Sequence, residues 1–190
     1  MLVSLQLGDD LKMQLPEQLQ NKNIILVGFM ACGKTFTSRE LAKRFGLVRV
    51  STDELIEERE GRSISQIFLV SGELYFRQLE REVVKECAAR TGLVIDCGGG
   101  VAADEQNFNA LNATGISFYL EASPEAIHRR TNGRTDRPLL NVKDPLKKIK
   151  ELLAKRDPHY RKAHYVVDSN EDNIGKVVHE ILHILQTHGT

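Results

Sequence analysis

The chain has no excess of charge of either sign. Its 26 lysines and arginines balance 26 aspartates and glutamates, so no global field draws it to nucleic acid or to an anionic membrane, and any anion site must be local. It also lacks a long apolar run, since nothing in it approaches the roughly 20 residues that cross a bilayer. Its first 21 residues interleave Leu2, Leu5, Leu7, Leu11 and Leu15 with Asp9, Asp10, Lys12 and Glu17, and so lack the basic start and unbroken apolar stretch of a secretion signal. Cysteine is scarce. Cys32, Cys87 and Cys97 form no C-x-x-C pair and leave one thiol over, which points to a reduced, cytoplasmic setting rather than a disulfide framework. Internal repeats and low-complexity tracts are absent. What remains is a chain of 190 residues, expected to be soluble, with length for one substantial core but not for two full domains.

Short β-branched segments alternate with longer helical patterns. Residues 24–27, 47–50, 93–97, 116–120 and 165–167 read as buried strands whose near-continuous apolar character suits a parallel sheet covered on both faces. Helices are expected at about 34–44, 53–60, 64–69, 73–89, 104–113, 124–130, 145–154 and 173–186. This alternation predicts a three-layer α/β/α sandwich with a five-stranded parallel sheet, in which ligands gather at the carboxyl ends of the strands.

The motifs sit at those ends. After the first strand comes Gly28-Phe29-Met30-Ala31-Cys32-Gly33-Lys34-Thr35, the spacing G-x-x-x-x-G-K-T of a phosphate-binding loop. Successive backbone N–H groups curl around a phosphate there, Lys34 reaches the β and γ phosphates, the Thr35 hydroxyl holds Mg²⁺, and the helix starting near Gly33 favours the anion. Gly28, Met30, Ala31, Cys32, Gly33, Lys34, Thr35 and Phe36 are therefore the candidates for ATP contact. Ser51-Thr52-Asp53 closes the second strand, where Asp53 either accepts a proton from a substrate hydroxyl or caps the following helix. Arg77 and Glu80, three apart on a helix, form either an oriented guanidinium or a surface ion pair. Gly98, Gly99 and Gly100 after the third strand permit close approach of backbone to a ligand, or form a plain loop. Arg130, Arg134 and Arg137 lie in or beside a polar stretch at 131–142, and Arg156 lies near a helix end, where it either binds substrate or caps.

Taken in order, G-F-M-x-x-G-K-T, T-D-E-L-I-E, I-F-x-x-x-G-E-x-x-F-R-x-x-E, G-G-G-V, R-P-L-L and R-x-x-x-Y resemble the shikimate kinases over about residues 23–170. The resemblance implies the P-loop kinase fold and ATP-dependent phosphorylation of the shikimate 3-hydroxyl, on the route to chorismate and aromatic amino acids. By matching position it implies that Asp53 binds the shikimate hydroxyls and is the base. It assigns the acceptor carboxylate to Arg77 and Arg156, and the ring hydroxyls to Gly98, Gly99 and Gly100. It makes Arg137 the lid arginine that stabilises the moving phosphoryl group and Arg130 the residue that packs on adenine. Residues 1–22 are then an extension to a single kinase domain, 23–190, with a substrate-binding region at about 52–81 and a lid at about 131–142. ATP, shikimate and Mg²⁺ are the expected ligands, and a monomer is expected.

Two positions depart from that pattern. Ala31 replaces a usual glycine, which the general loop pattern tolerates. Ser51 replaces the first aspartate of an Asp-Thr-Asp sequence, which in the family helps hold Mg²⁺; Asp96, where a Ser or Thr is usual, is expected to compensate, with Thr35 as the other protein group near the metal. Two other functions compete with the main reading: another small kinase, such as one acting on gluconate, and a nucleotide-binding module whose damaged metal site has weakened turnover.

Overall fold

The computed structural model describes residues 13–132, 140, 142–171 and 173–187. Five strands form one parallel sheet in the order β2-β3-β1-β4-β5: β1 is Asn23–Val27, β2 Val48–Ser51, β3 Leu93–Asp96, β4 Gly115–Glu121 and β5 Tyr165–Asp168. The three central strands are buried on both faces, whereas the edge strands β2 and β5 each carry exposed positions. A parallel sheet has this form because its crossover helices cover both faces. Asn23, wholly buried at the start of β1, satisfies its amide by donating to Arg90 O and Thr114 Oγ1 and accepting from Leu93 N.

The helices are α1 Lys34–Phe45, α2 Thr52–Glu60, α3 Ile64–Ala88, α4 Glu105–Asn112, α5 Pro124–Thr131, α6 Pro145–Tyr160 and α7 Ile174–Thr187. Two depart from the sequence-based expectation. The pair expected at 64–69 and 73–89 is one α3 bent at Gly72, whose φ of 81° breaks the helix; the capping box of Ser63 and Gln66 fixes its start. The helix α6 runs six residues past the expected 154, with Pro158 inside it, so Arg156 lies within the helix and is not its cap.

Before β1, Leu15 and Leu19 are buried in the core, a 3-10 turn spans Glu17–Leu19, and Met13 N donates to Arg44 O. Leu15 and Leu19 thus anchor the segment before β1 on the core, while residues 1–12 lie outside the described residues. Among the described residues no helix is long and apolar enough to cross a membrane.

Candidate active site

The strand β1 ends in a loop that must turn sharply into α1. Gly28 and Gly33 take φ values of 145° and 100°, and a Cβ on Gly28 would come within 2.9 Å of both Leu120 O and Cys32 Sγ. Ala31 also adopts a left-handed conformation, φ 59°. The loop pattern accepts any residue there, but the backbone does not do so freely, because a Cβ in this region crowds its own carbonyl. Lys34 folds back over the loop and donates from Nζ to Gly28 O at 2.9 Å and Phe29 O at 3.0 Å. Burial works against its positive charge, yet Cys32, Asp96, Tyr160 and Asp53 together hold its pKa above the ordinary lysine value. It therefore stays an ammonium where a phosphate would sit. Gly33 brings no side chain to the start of α1, so the first-turn N–H groups open to an anion.

The loop is braced from behind. Ser169 donates to Cys32 O at 2.6 Å, and Arg130 donates to Ala31 O, Ser169 O and Glu171 O. Arg130 lines the cleft together with Met30, Phe36 and Ile174; the last carries no motif and was not singled out from the sequence. Cys32 and Cys97, both in the glycine-rich loops, are fully buried.

Ser51 caps α2 by accepting from Glu54 N, which leaves Asp53 in the first turn without a capping role. Thr52 accepts from Gly98 N at 2.8 Å and so ties the triple glycine to α2. Each of the three glycines then meets a side chain from a different helix. A Cβ on Gly98 would overlap the Asp53 carboxylate, and one on Gly100 would overlap the Arg77 guanidinium. One on Gly99 would lie 3.3 Å from Arg156 Nη1 and 3.9 Å from Gly28 O. Asp53, Gly98, Gly99 and the phosphate loop line one cleft of about 600 Å³, and Arg77 and Arg156 come up against the same triple glycine.

The two arginines are held differently. Arg77 pairs with Glu80 at 2.7 Å and with Glu73 at 3.1 Å. Glu80 is buried, and that burial raises its pKa although Arg77 pulls the other way. Arg156 sits 5.7 Å over the ring of Phe29, and Tyr160, one turn later, donates to Gly99 O at 2.6 Å. Tyr160 belongs to R-x-x-x-Y, but its part in fixing the glycine loop is not legible from that motif. Arg134 and Arg137 lie outside the described residues.

Along the wall beside the phosphate loop stand Thr35, Ser51 and Asp96. Ser51 and Asp96 are register partners on neighbouring strands, so a carboxylate on either projects to the same edge of the sheet. Asp96 accepts from Arg49 Nη2 at 2.9 Å, a partner that sequence reasoning missed. Arg49 lies two residues before Ser51 in β2, and that spacing on a strand was the available signal. A hydroxyl and a carboxylate are hard oxygen donors of the kind Mg²⁺ takes. Among the described residues no group of three His, Cys, Asp or Glu could hold a metal ion.

The family model "Shikimate kinase" matches residues 30–186. The shikimate kinase of Caldanaerobacter subterraneus subsp. tengcongensis is 40% identical over 161 residues, covering 85% of this chain and 94% of its own. That of Thermodesulfovibrio yellowstonii is 43% identical over 148 residues, covering 78% and 86%. The solved shikimate kinase from Acinetobacter baumannii in complex with shikimate superposes with a TM-score of 0.85 at 36% identity, over 90% of this chain and 96% of that one. A gluconokinase from Sinorhizobium meliloti shares the fold, with a TM-score of 0.60 at 16% identity over 87% of this chain and 92% of that one.

Proposed function

The chain belongs to the shikimate kinase family, and from that premise we propose how its own residues move the γ phosphoryl group of ATP to the 3-hydroxyl of shikimate. Lys34 and the first-turn amides of α1 receive the phosphates, the amides through a ready-made anion cradle and Lys34 by trading its bonds to Gly28 O and Phe29 O for phosphate oxygens. Arg130 and Ile174 flank the adenine. Arg77 and Arg156 grip the shikimate carboxylate from two sides, each charge-assisted bond contributing about 1.5 to 3 kcal/mol. Gly98, Gly99 and Gly100 let the ring come against backbone, and Asp53 takes the proton of the attacking hydroxyl. Arg137, in the expected lid, supplies positive charge to the phosphoryl group in flight.

Thr35 and Asp96 are the residues that would hold Mg²⁺, Asp96 standing in for the carboxylate that Ser51 lacks. The ion's contribution when bound is to neutralise charge between the β and γ phosphates. We take a monomer as the working unit. Three free, buried thiols fit a cytoplasmic setting.

The observation that carries this reading is the contact of three successive glycines with Asp53, Arg156 and Arg77. A gluconate kinase has no need of that double guanidinium clamp beside a glycine loop, and the likeness to the gluconokinase extends to fold alone. The test is an ADP-release assay with shikimate, with gluconate and with no acceptor. Turnover that depends on shikimate is expected. Turnover with gluconate, or ADP release indifferent to the acceptor, would overturn the reading.

A further inference from the structure

Arg49 is the one charged residue in the four-residue edge strand β2, and the two-residue period of a strand points it the same way as Ser51. Each of its three nitrogens donates. Nε donates to Ser38 Oγ at 2.8 Å, Nη1 to Glu54 Oε2 at 2.7 Å, and Nη2 to both Glu54 Oε1 at 3.1 Å and Asp96 Oδ2 at 2.9 Å. Ser38 in turn donates to Thr35 O at 3.0 Å. One guanidinium thus ties together the base-bearing helix α2, the first turn of α1 and the end of β3.

Its two carboxylate partners are not equivalent. The Glu54 side chain is 56% exposed and screened by water, whereas that of Asp96 is 6% exposed and faces the cleft with Thr35 and Lys34. A carboxylate so buried is costly without a cation, and Arg49 supplies one.

Resting on the reading of this cleft as a site for Mg²⁺ and nucleotide, we infer that Arg49 is a positioning residue that competes with the divalent cation for the charge of Asp96, and so sets how tightly this protein holds Mg²⁺. Two cations beside one carboxylate oppose each other. The carboxylate moved from the Ser51 position to its register partner therefore arrives with a counter-ion, and compensates for Ser51 only in part.

The test needs no turnover. ADP binding is followed by calorimetry across a Mg²⁺ series, which yields the Mg²⁺ affinity of the ADP complex. Removing the cation in Arg49→Met should tighten Mg²⁺ on the order of tenfold, and Asp96→Asn should weaken it by a similar factor. The double variant restores the net charge of the pair and should return to within about threefold of the parent, as should Arg49→Lys, which keeps the cation. A merely structural ion pair lowers thermal stability but leaves Mg²⁺ affinity unmoved in the single variants, and that result would overturn the inference. Should Arg49→Met not fold, Asp96→Asn against the double variant decides, because a double variant as weak in Mg²⁺ as Asp96→Asn is equally fatal. Parent protein that binds ADP without regard to Mg²⁺ overturns both this inference and the kinase reading. Mg²⁺-dependent binding by the parent with unmoved variants sinks the inference alone.

Discussion

At the phosphate end of the cleft, the loop from Gly28 to Thr35 is tied by Lys34, Ser169 and Arg130 to its own carbonyls and backed by the buried strands β1 and β4. At the acceptor end, Arg77 rides on α3, whose stretch before the bend at Gly72 buries only Ile67 fully, while Leu69 and Leu74 stand 87% and 83% exposed. The nucleotide side is prepaid in structure. The turns of α3 before Gly72 rest on few buried apolar side chains, the signature of a segment that opens at low cost, whereas past the bend Phe76 is buried beside Arg77 and ion pairs hold the guanidinium. Glu73 and Glu80 hold the Arg77 guanidinium, and under the proposed function the exposed Glu73 contact is the one that the shikimate carboxylate would replace.

The sharpest way to break this contrast is at Lys34. If the phosphate end is prebuilt for charge, Lys34→Met should lower kcat on the order of a thousandfold. Its melting temperature should change little, since the same substitution also removes a buried charge. A loss of less than tenfold would mean that the loop amides alone carry the phosphates. Next in size is Arg77→Ala, expected to raise KM for shikimate by roughly 10- to 100-fold while KM for ATP stays within about threefold. Equal rises in both would show that the two ends are not separable. Arg156→Ala should add a rise in KM for ATP, because Arg156 also packs on Phe29 of the phosphate loop.

Glu80 probes the same end more gently. Its burial raises its pKa above the ordinary glutamate value, and among the described residues its Oε1 has no hydrogen-bond partner. With the folded value above the unfolded one, the folded protein takes up the proton first as pH falls. The group's contribution to stability is thus fully present below the unfolded pKa and is lost as pH rises through the folded one. Glu80→Gln should therefore be more stable than the parent at pH 7, an advantage that shrinks toward pH 4, as melting temperatures at the two values will check. The same variant should raise KM for shikimate by about three- to tenfold, since Arg77 loses its 2.7 Å partner. A stabilised variant with unchanged KM would show that Glu80 does not orient Arg77.

How much of this was legible follows from how local each cause is. The strands and the phosphate loop were readable because their burial and turn chemistry are written in consecutive residues, such as Asn23–Val27 and the glycines at 28 and 33. The pairing of Arg77 with Glu80 was readable at helical spacing. The assembly of Asp53, Arg156 and Arg77 on three glycines was implied by the family resemblance but not by spacing, because each comes from a different element. Arg49, Tyr160 and Ile174 were missed for a related reason: each matters through a partner 47, 61 and about 140 positions away. The bend at Gly72 was legible as a gap between helices, but not as one continuous element.

The smallest expected effect returns to the phosphate end and asks what its prebuilt form costs. Ala31, at φ 59°, is the one non-glycine residue with positive φ among the described residues, and its carbonyl accepts from Arg130. Holding alanine there costs about 1 kcal/mol, whereas glycine would lose about 0.4 to 1 kcal/mol more conformational freedom on folding. The two nearly cancel, so Ala31→Gly should stabilise the protein by less than about 1 kcal/mol, a rise of at most about 4 °C in Tm for a chain of this size. The variant should also free the empty loop, raising KM for ATP by up to about twofold with kcat unchanged. A fall in Tm of several degrees would mean that the Ala31 side chain is packed to advantage rather than strained. The loop would then be prebuilt without backbone cost, and the contrast between the two ends would be one of burial alone.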